Sequence, residues 1–153
     1  MVEDARFEDG GEKALRLKAL EPDDLPVIAS LVQDAVFPGN EMTWDRRGRR
    51  FALLLNRFRW EDGRSPERVQ SVLTIEDAVR VASQGVERGD GDMVLSLLTL
   101  DWEPGEDGTG ACVLTLAGDG AIRVEVEALE VTLTDVTRPY VAPSGKRPEH
   151  PGA

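Results

Sequence analysis

Short stretches of alternating apolar and polar residues dominate the chain from residue 50 onward. β-Branched and aliphatic residues fill these stretches, and clusters of turn-forming residues such as ERGDGD, EPGEDGTG and AGDG separate them. A period of two residues between tight turns is typical of antiparallel strands. The pattern predicts seven strands, at Arg50 to Trp60, Val69 to Ile75, Ala78 to Gln84, Met93 to Trp102, Ala111 to Ala117, Ala121 to Glu127 and Leu129 to Val136.

One segment before these strands has helical periodicity instead. Apolar residues recur three and four positions apart within Leu25 to Val36. Asp23 precedes them and can accept hydrogen bonds from the free amides, and Pro26 falls in the first turn, where proline is tolerated. The following Phe-Pro-Gly, around Pro38, predicts the end of the helix. Because the helix is amphipathic, we expect it to cover one side of the strand Arg50 to Trp60, with an opposing sheet on the other.

These elements predict an α+β fold that is predominantly antiparallel β. We expect one N-terminal helix packed on a meander barrel or a two-sheet sandwich. A length of 153 residues suits one domain, which we place at residues 14–137. The acidic residues 1–13 have few apolar groups and are expected to be disordered, and the proline-rich residues 138–153 predict an extended or disordered tail.

Two parts of the strand region resemble each other. When FALLLNRFRWEDG is placed over MVLSLLTLDWEPG, an offset of 42 residues, leucine, tryptophan, glutamate and glycine positions coincide. VLTI then aligns with VLTL and AVRV with AIRV, with a drift of one residue that altered turn length explains. The alignment predicts two pseudo-symmetric three-stranded units, at about residues 50–86 and 92–128. Apolar alternation shared by any two β meanders is the alternative explanation.

The two units carry opposite charge at matched positions. Residues 46–68 contain eight arginines against three carboxylates, a net charge of +5, in a chain whose net charge is -11. Residues 88–110 contain one arginine against six carboxylates, a net charge of -5. We expect the basic face to meet an acidic face that includes Asp90, Asp92, Asp101 and Asp107, either within the monomer or between subunits.

The arginine-rich stretch is the one candidate binding surface. Guanidinium groups beside the aromatic rings of Phe58 and Trp60 can hold phosphate or single-stranded nucleic acid. Against this, alternation puts both rings on the side of Leu54, away from Arg57 and Arg59. Three roles stay open: structural charge pairing, recognition of a protein partner, and binding of a phosphate-bearing ligand. The candidate residues are Arg46, Arg47, Arg49, Arg50, Arg57 and Arg59.

The sequence contains few residue patterns that are typical of catalysis or metal binding. The single histidine, His150, lies in the proline-rich tail, and the single cysteine, Cys112, lies beside apolar residues, where a small buried hydrophobic residue is expected. The acidic turns at 89–92 and 103–110 lack the ligand spacing of a calcium loop. Glu125 and Glu127 share one strand face, which alternation predicts to be solvated. The sequence therefore predicts no cofactor and no metal site, and it favours a protein that is not an enzyme.

Several segments resemble a small uncharacterised family of alphaproteobacterial proteins, known only as a domain of unknown function. The segments are LKAL at 17–20, RRFALLLNRFRWE at 49–61, VLSLL at 94–98, AIRVEVEALE at 121–130 and RPEHP at 147–151. The resemblance spans nearly the whole chain. It implies a bacterial cytoplasmic protein and supplies no activity, so no functional residue is carried over.

Charge and composition narrow the function classes. No apolar run reaches the roughly 18 residues that a membrane span needs, and the net charge of -11 disfavours wholesale binding to nucleic acid or anionic membrane. A lone cysteine fits the cytosol. The sequence predicts a non-enzymatic cytosolic binding or assembly module, which associates with itself or with another cytosolic protein. The alternative is a binder of a phosphate-bearing ligand or of single-stranded nucleic acid through the arginine-rich strand.

Overall fold

The computed structural model describes residues 14–59, 67–86 and 93–138, and the backbone of 140–141. The predictions for residues 1–13 and for most of the tail lie outside these residues, as does His150. One α-helix, α1 (Leu25–Leu31), follows a 3₁₀ turn at Pro22–Asp24, and a second 3₁₀ turn lies at Gly39–Glu41. The strands are β1 (Arg16–Ala19), β2 (Val36–Pro38), β3 (Met42–Asp45), β4 (Arg50–Phe58), β5 (Glu67–Glu76), β6 (Ala78–Gln84), β7 (Val94–Pro104), β8 (Gly110–Leu116), β9 (Gly120–Val126), β10 (Val131–Asp135) and β11 (Tyr140–Val141).

All seven predicted strands are present, as β4 to β10, with bounds shifted by a few residues at most. The predominantly antiparallel β fold is therefore confirmed. Sequence reasoning missed β1, β2, β3 and β11, which have two to four residues each. Runs this short contain too few positions for an alternating pattern to emerge.

The strands form one open antiparallel sheet in the order β1, β10, β5, β4, β2, β7, β8, β9, β6, with β3 added beside β4 and β11 beside β5. The sheet does not close, so the barrel alternative is excluded. β5 runs into β6 through a single residue, Asp77, whose φ of 56° turns the chain. β5 pairs with β4 and β10, whereas β6 pairs with β9. This one bend therefore links the two halves of the sheet.

The sheet curls around a single apolar core. On β4, the buried side chains Phe51, Leu53 and Leu55 alternate with half-buried ones, and β5, β8, β9 and β10 repeat the alternation. These residues belong to one cluster with α1 and β2. Burial of each such side chain contributes about 1.5–3 kcal/mol relative to exposure, so the alternation itself drives the folding of the sheet.

The helix is shorter than predicted and packs elsewhere. α1 ends at Leu31, and Asp34, with a φ of 65°, then reverses the chain so that Val36 enters the sheet. α1 packs mainly against β7 and β1 rather than on β4. Asp24, and not Asp23, accepts the amide of Glu21 at 3.2 Å at the start of this segment.

The internal repeat stays a prediction, and strand pairing departs from it. In the first unit Leu53 faces Leu73, whereas in the second Leu114, the counterpart of Leu73, faces Leu100 and not Leu95. A bulge between Leu97 and Thr99 contributes to the shift of register. The third strands also differ, because β9 pairs with β8 but β6 does not pair with β5. Trp60, which the alignment matches to Trp102, lies outside the described residues.

Candidate functional site: two grooves beside strand β6

A tight hairpin between β3 and β4 displays the first arginines of the stretch. Arg46, Arg47, Arg49 and Arg50 are all exposed at or next to this turn. The Asp45 carboxylate accepts the amide of Gly48 at 3.0 Å. A Cβ atom at position 48 would lie 2.5 Å from Asp45 Oδ2, so a larger residue there would displace the carboxylate that accepts this hydrogen bond. The turn thus presents guanidinium groups to solvent from a hydrogen-bonded backbone.

Two exposed arginines of this set have carboxylate partners. Arg50 Nε donates to both carboxylate oxygens of Glu76, at 3.1 and 2.9 Å, because the antiparallel register brings the two residues opposite each other. Arg49 Nη1 lies 2.5 Å from Glu127 Oε1, just beyond the end of β9. Both pairs are exposed, and such pairs stabilise by only about 0–1 kcal/mol. They fix the side chains more than they stabilise the fold.

Arg57 lies in the interior instead. Its side chain is fully buried, and Nη2 donates to both carboxylate oxygens of Asp135, at 3.0 and 3.2 Å. Nε donates to Ser71 Oγ at 3.0 Å, and Ser71 Oγ in turn donates to Asp135 at 2.7 Å. The Leu15 amide donates to the same carboxylate at 2.9 Å. This network ties β1, β4, β5 and β10 together, and no ligand at the surface can contact Arg57.

Arg59 is also withdrawn from the surface. Its side chain is 5% exposed, and Nη1 lies 2.5 Å from Glu67 Oε1. Its amide donates to the Glu67 carbonyl at 3.0 Å. The six candidate arginines therefore separate into two that are buried and four that are exposed at the β3–β4 turn. Of the three roles left open by the sequence, Arg57 and Arg59 make the contacts of the first, structural charge pairing.

The predicted contact between the arginines and the acidic stretch 88–110 does not form among the described residues. Glu103 pairs with Arg123, and that hydrogen bond raises the pKa of the Arg123 guanidinium above its ordinary value. Asp101 and Asp107 make no ion pair with the arginine stretch, and Asp90 and Asp92 lie outside the described part of the chain. The arginines instead take partners from β5, β10 and the end of β9, since these elements adjoin them in the sheet.

Two of the exposed arginines, Arg46 and Arg49, line a groove of about 450 Å³ together with β6, and we call it the basic groove. Sequence reasoning missed two of its contributors. Arg80 comes from β6, and the half-buried Trp44 comes from β3, a strand too short to predict. The lining residues are Trp44, Arg46, Arg49, Ala78, Val79, Arg80 and Val81. Within the described residues, the side chains of Arg46 and Arg80 have no hydrogen-bond or ion-pair partner.

A second groove, of about 500 Å³, adjoins the first at Val79. We call it the acidic groove, because Glu103, Glu125 and Glu127 line it together with a single arginine, Arg123. Val79 lines both grooves and is 46% exposed. It falls within a β-bulge, where Ala78 faces Val126 and Arg80 faces Glu125, so that one residue of β6 is extra. The bulge aims an apolar side chain outward between two charged surfaces of opposite sign.

The other candidate groups from the sequence are one buried thiol and two surface carboxylates. Cys112 is fully buried, and burial raises the pKa of its thiol from 9.0 to about 12, so the expected buried apolar role is confirmed. Glu125 and Glu127 lie at the surface. No three histidine, cysteine or acidic side chains gather in a metal-binding arrangement among the residues described. Residues 89–92, one of the acidic turns, lie outside them.

Fold and grooves together define a predominantly antiparallel β domain in which two grooves of opposite charge adjoin at β6. A family model described as "Protein of unknown function (DUF2948)" matches residues 15–150. The chain belongs to this family, which confirms the predicted membership in a domain of unknown function, while its alphaproteobacterial origin stays a prediction. No curated protein and no solved structure matches the chain. In the described residues, no helix is both long enough and apolar enough to cross a membrane.

Proposed function

We propose that this protein is a non-enzymatic cytosolic assembly module that associates with itself through the surface around Val79. The observation that carries the proposal is that a basic and an acidic groove adjoin each other at that one exposed apolar residue. A symmetric dimer uses the same surface on both subunits, so that surface has to be complementary to itself.

The charge arrangement meets this requirement. If a two-fold axis passes through Val79, perpendicular to the line that joins the grooves, the basic groove of each subunit faces the acidic groove of the other. The two Val79 side chains then meet at the axis and remove apolar surface from water. Like charges would meet in a wrong register, and such contacts cost several kcal/mol. The grooves therefore select one mutual orientation.

The position of β6 supports the same interface. Among the described residues, β6 is an end strand of the sheet and its one paired neighbour is β9. Arg80 and the bulge occupy its first half, whereas Val81 to Gln84 is uncharged, regularly paired with β9 and free of proline. Edge strands of this kind readily meet other chains. Because exposed ion pairs contribute about 0–1 kcal/mol each, we expect a weak dimer that dissociates as salt screens the charges.

Sedimentation equilibrium of the full chain over a wide concentration range at low salt tests the proposal. We expect a monomer–dimer equilibrium that Arg46→Glu shifts toward monomer, because the new carboxylate faces the partner's acidic groove. The matched control is Arg16→Glu, which carries the same charge change on β1 and lines neither groove. A wild-type chain that stays monomeric throughout would contradict the proposal, and so would equal weakening by both variants.

A further inference from the structure

We infer that the basic groove is a binding site for a nucleotide, that is, a small phosphate ester that carries an aromatic ring. The inference goes beyond self-association and does not depend on it. It rests on three features that occur together in this groove: guanidinium groups, ring-sized apolar surface and limited volume.

The guanidinium groups supply the phosphate contacts. Arg46 and Arg80 approach the groove from separate elements, the β3–β4 turn and β6, so they can hold an anion from two directions. A guanidinium presents a planar set of donors that matches phosphate oxygens in pairs. Arg49 is already held by Glu127, 2.5 Å away, which reduces the rotamer freedom that it loses on binding.

The apolar lining of the basic groove provides surface on which the aromatic ring of a nucleotide can stack. The indole of Trp44 and the side chains of Ala78, Val79 and Val81 line the same groove as the arginines. Flat apolar groups next to guanidinium groups favour stacking of a base, which an inorganic anion cannot use. The volume of about 450 Å³ lies within the range of roughly 300–1,000 Å³ that is typical of small-molecule sites.

The charge of the whole protein favours a short ligand over a nucleic acid strand. The chain has a net charge of -11, and the acidic groove begins directly beyond Val79. A long polyanion would extend over negative surface, where it is repelled, whereas the charge of a nucleotide stays within the basic groove. Screening over about 8 Å at physiological ionic strength confines the attraction to this groove.

Calorimetric titration of the full chain with ADP, pyrophosphate and adenosine at low salt tests the inference. We expect ADP to bind more tightly than pyrophosphate, because only ADP uses the apolar lining, and adenosine to bind more weakly than ADP. Absence of ADP binding, in the wild-type chain and in a monomeric variant alike, would overturn the inference. Pyrophosphate binding as tight as that of ADP would overturn the role of the ring, and adenosine binding as tight as ADP would overturn the role of the arginines.

Variants of residues in the basic groove test whether ADP binds there. The double variant Arg46→Ala with Arg80→Ala, both at exposed positions, should weaken ADP binding by about tenfold or more. Trp44→Leu should weaken ADP binding but not pyrophosphate binding, and Arg16→Ala, outside the groove, should change neither. Unchanged ADP affinity in the double arginine variant would place the ligand elsewhere and overturn the inference.

A further variant separates this inference from the proposed self-association. Glu103→Arg alters the acidic groove and leaves the residues of the basic groove in place. If self-association is as proposed, this variant is monomeric, and ADP should still bind to it with wild-type or higher affinity. Because the proposed dimer covers the basic groove, absence of ADP binding to the monomeric Glu103→Arg variant, from a wild-type chain that dimerises, would overturn the nucleotide site alone.

Discussion

Arg46 and Arg57 belong to the same arginine-rich stretch, yet the fold gives them opposite environments. Arg57 lies on the core-facing side of β4, fully buried, with hydrogen bonds to Ser71 and Asp135. Arg46 lies in the β3–β4 turn, exposed and without a partner among the described residues. Strand alternation accounts for the burial of Arg57, and the position in the turn accounts for the exposure of Arg46. A cluster of like charges in a sequence is therefore not one surface, and only its exposed part is available for binding.

The largest expected effect follows from the buried arginine. Arg57→Ala leaves the Asp135 carboxylate without its cation inside the protein, and breaking a buried pair in this way costs about 3–5 kcal/mol. We expect urea denaturation to show a loss of this size. Arg46→Ala should change the free energy of unfolding by less than about 0.5 kcal/mol, since nothing in the fold depends on that side chain.

These two variants also test the difference between the buried Arg57 and the exposed Arg46. Similar losses of stability in Arg57→Ala and Arg46→Ala would mean that the two arginines do not differ as described. A near-neutral Arg57→Ala would show that water or another cation reaches Asp135. Unfolding curves followed by both circular dichroism and tryptophan fluorescence would confirm that each transition has two states.

A second prediction concerns a buried ionisable group that has no charged partner. Burial raises the pKa of the Cys112 thiol from 9.0 to about 12. Above pH 9 the unfolded thiol loses its proton while the folded one keeps it, so the free energy of unfolding falls as pH rises from about 9 toward 12. The loss from this group should reach about 1 kcal/mol at pH 10.

Denaturant unfolding between pH 8 and pH 11 measures this effect. Cys112→Ala should show a shallower fall in stability across this range than the wild-type chain, whatever its stability at pH 8. The comparison of slopes cancels the contributions of lysine and tyrosine, which both chains share. Parallel pH profiles in the two proteins would show that the thiol is solvated in the folded state.

The smallest expected effect belongs to an exposed arginine that has a partner. Arg50 pairs with Glu76 across β4 and β5, but its side chain is 57% exposed. We expect Arg50→Ala to lower the free energy of unfolding by at most about 1 kcal/mol, and less at high salt. Measurement in 0.05 and 1 M NaCl would check both points. A loss as large as that of Arg57→Ala, independent of salt, would remove the distinction between exposed and buried pairs.

The sequence was sufficient to predict the seven longer strands but not which strands they pair with. Alternation in the seven longer strands reports which residues face a core, and in β4 it correctly separated Leu53 and Leu55 from the opposite face. The pairing of β6 with β9 was not predictable, because it depends on the bend at Asp77, where a non-glycine residue adopts a positive φ. For the same reason the alignment of repeats suggested a strand arrangement that the third strand does not follow.

The candidate site was predictable only in part. The arginine stretch drew attention to Arg46 and Arg49, which do line the basic groove. Arg80 lies more than 30 positions away in the sequence, and Trp44 lies in a four-residue strand, so neither had a local signal that linked it to the turn. Conversely, Arg57 and Arg59 matched the charge pattern but face the interior. The order of strands in the sheet decides which charged residues lie on the same surface. The local sequence pattern contains no information about that order.

The most direct test of the account is to mix two charge-reversed variants that should each fail to dimerise. Arg46→Glu leaves the basic groove with two arginines and one carboxylate, and Glu103→Arg leaves the acidic groove with two arginines and two carboxylates, so each homodimer loses most of its attraction. In an equimolar mixture, the heterodimer lets the unaltered basic groove of one variant meet the unaltered acidic groove of the other. We predict that sedimentation equilibrium at low salt finds each variant monomeric and their mixture dimeric. A mixture as monomeric as its components, from a wild-type chain that dimerises, would contradict the meeting of the two grooves around Val79.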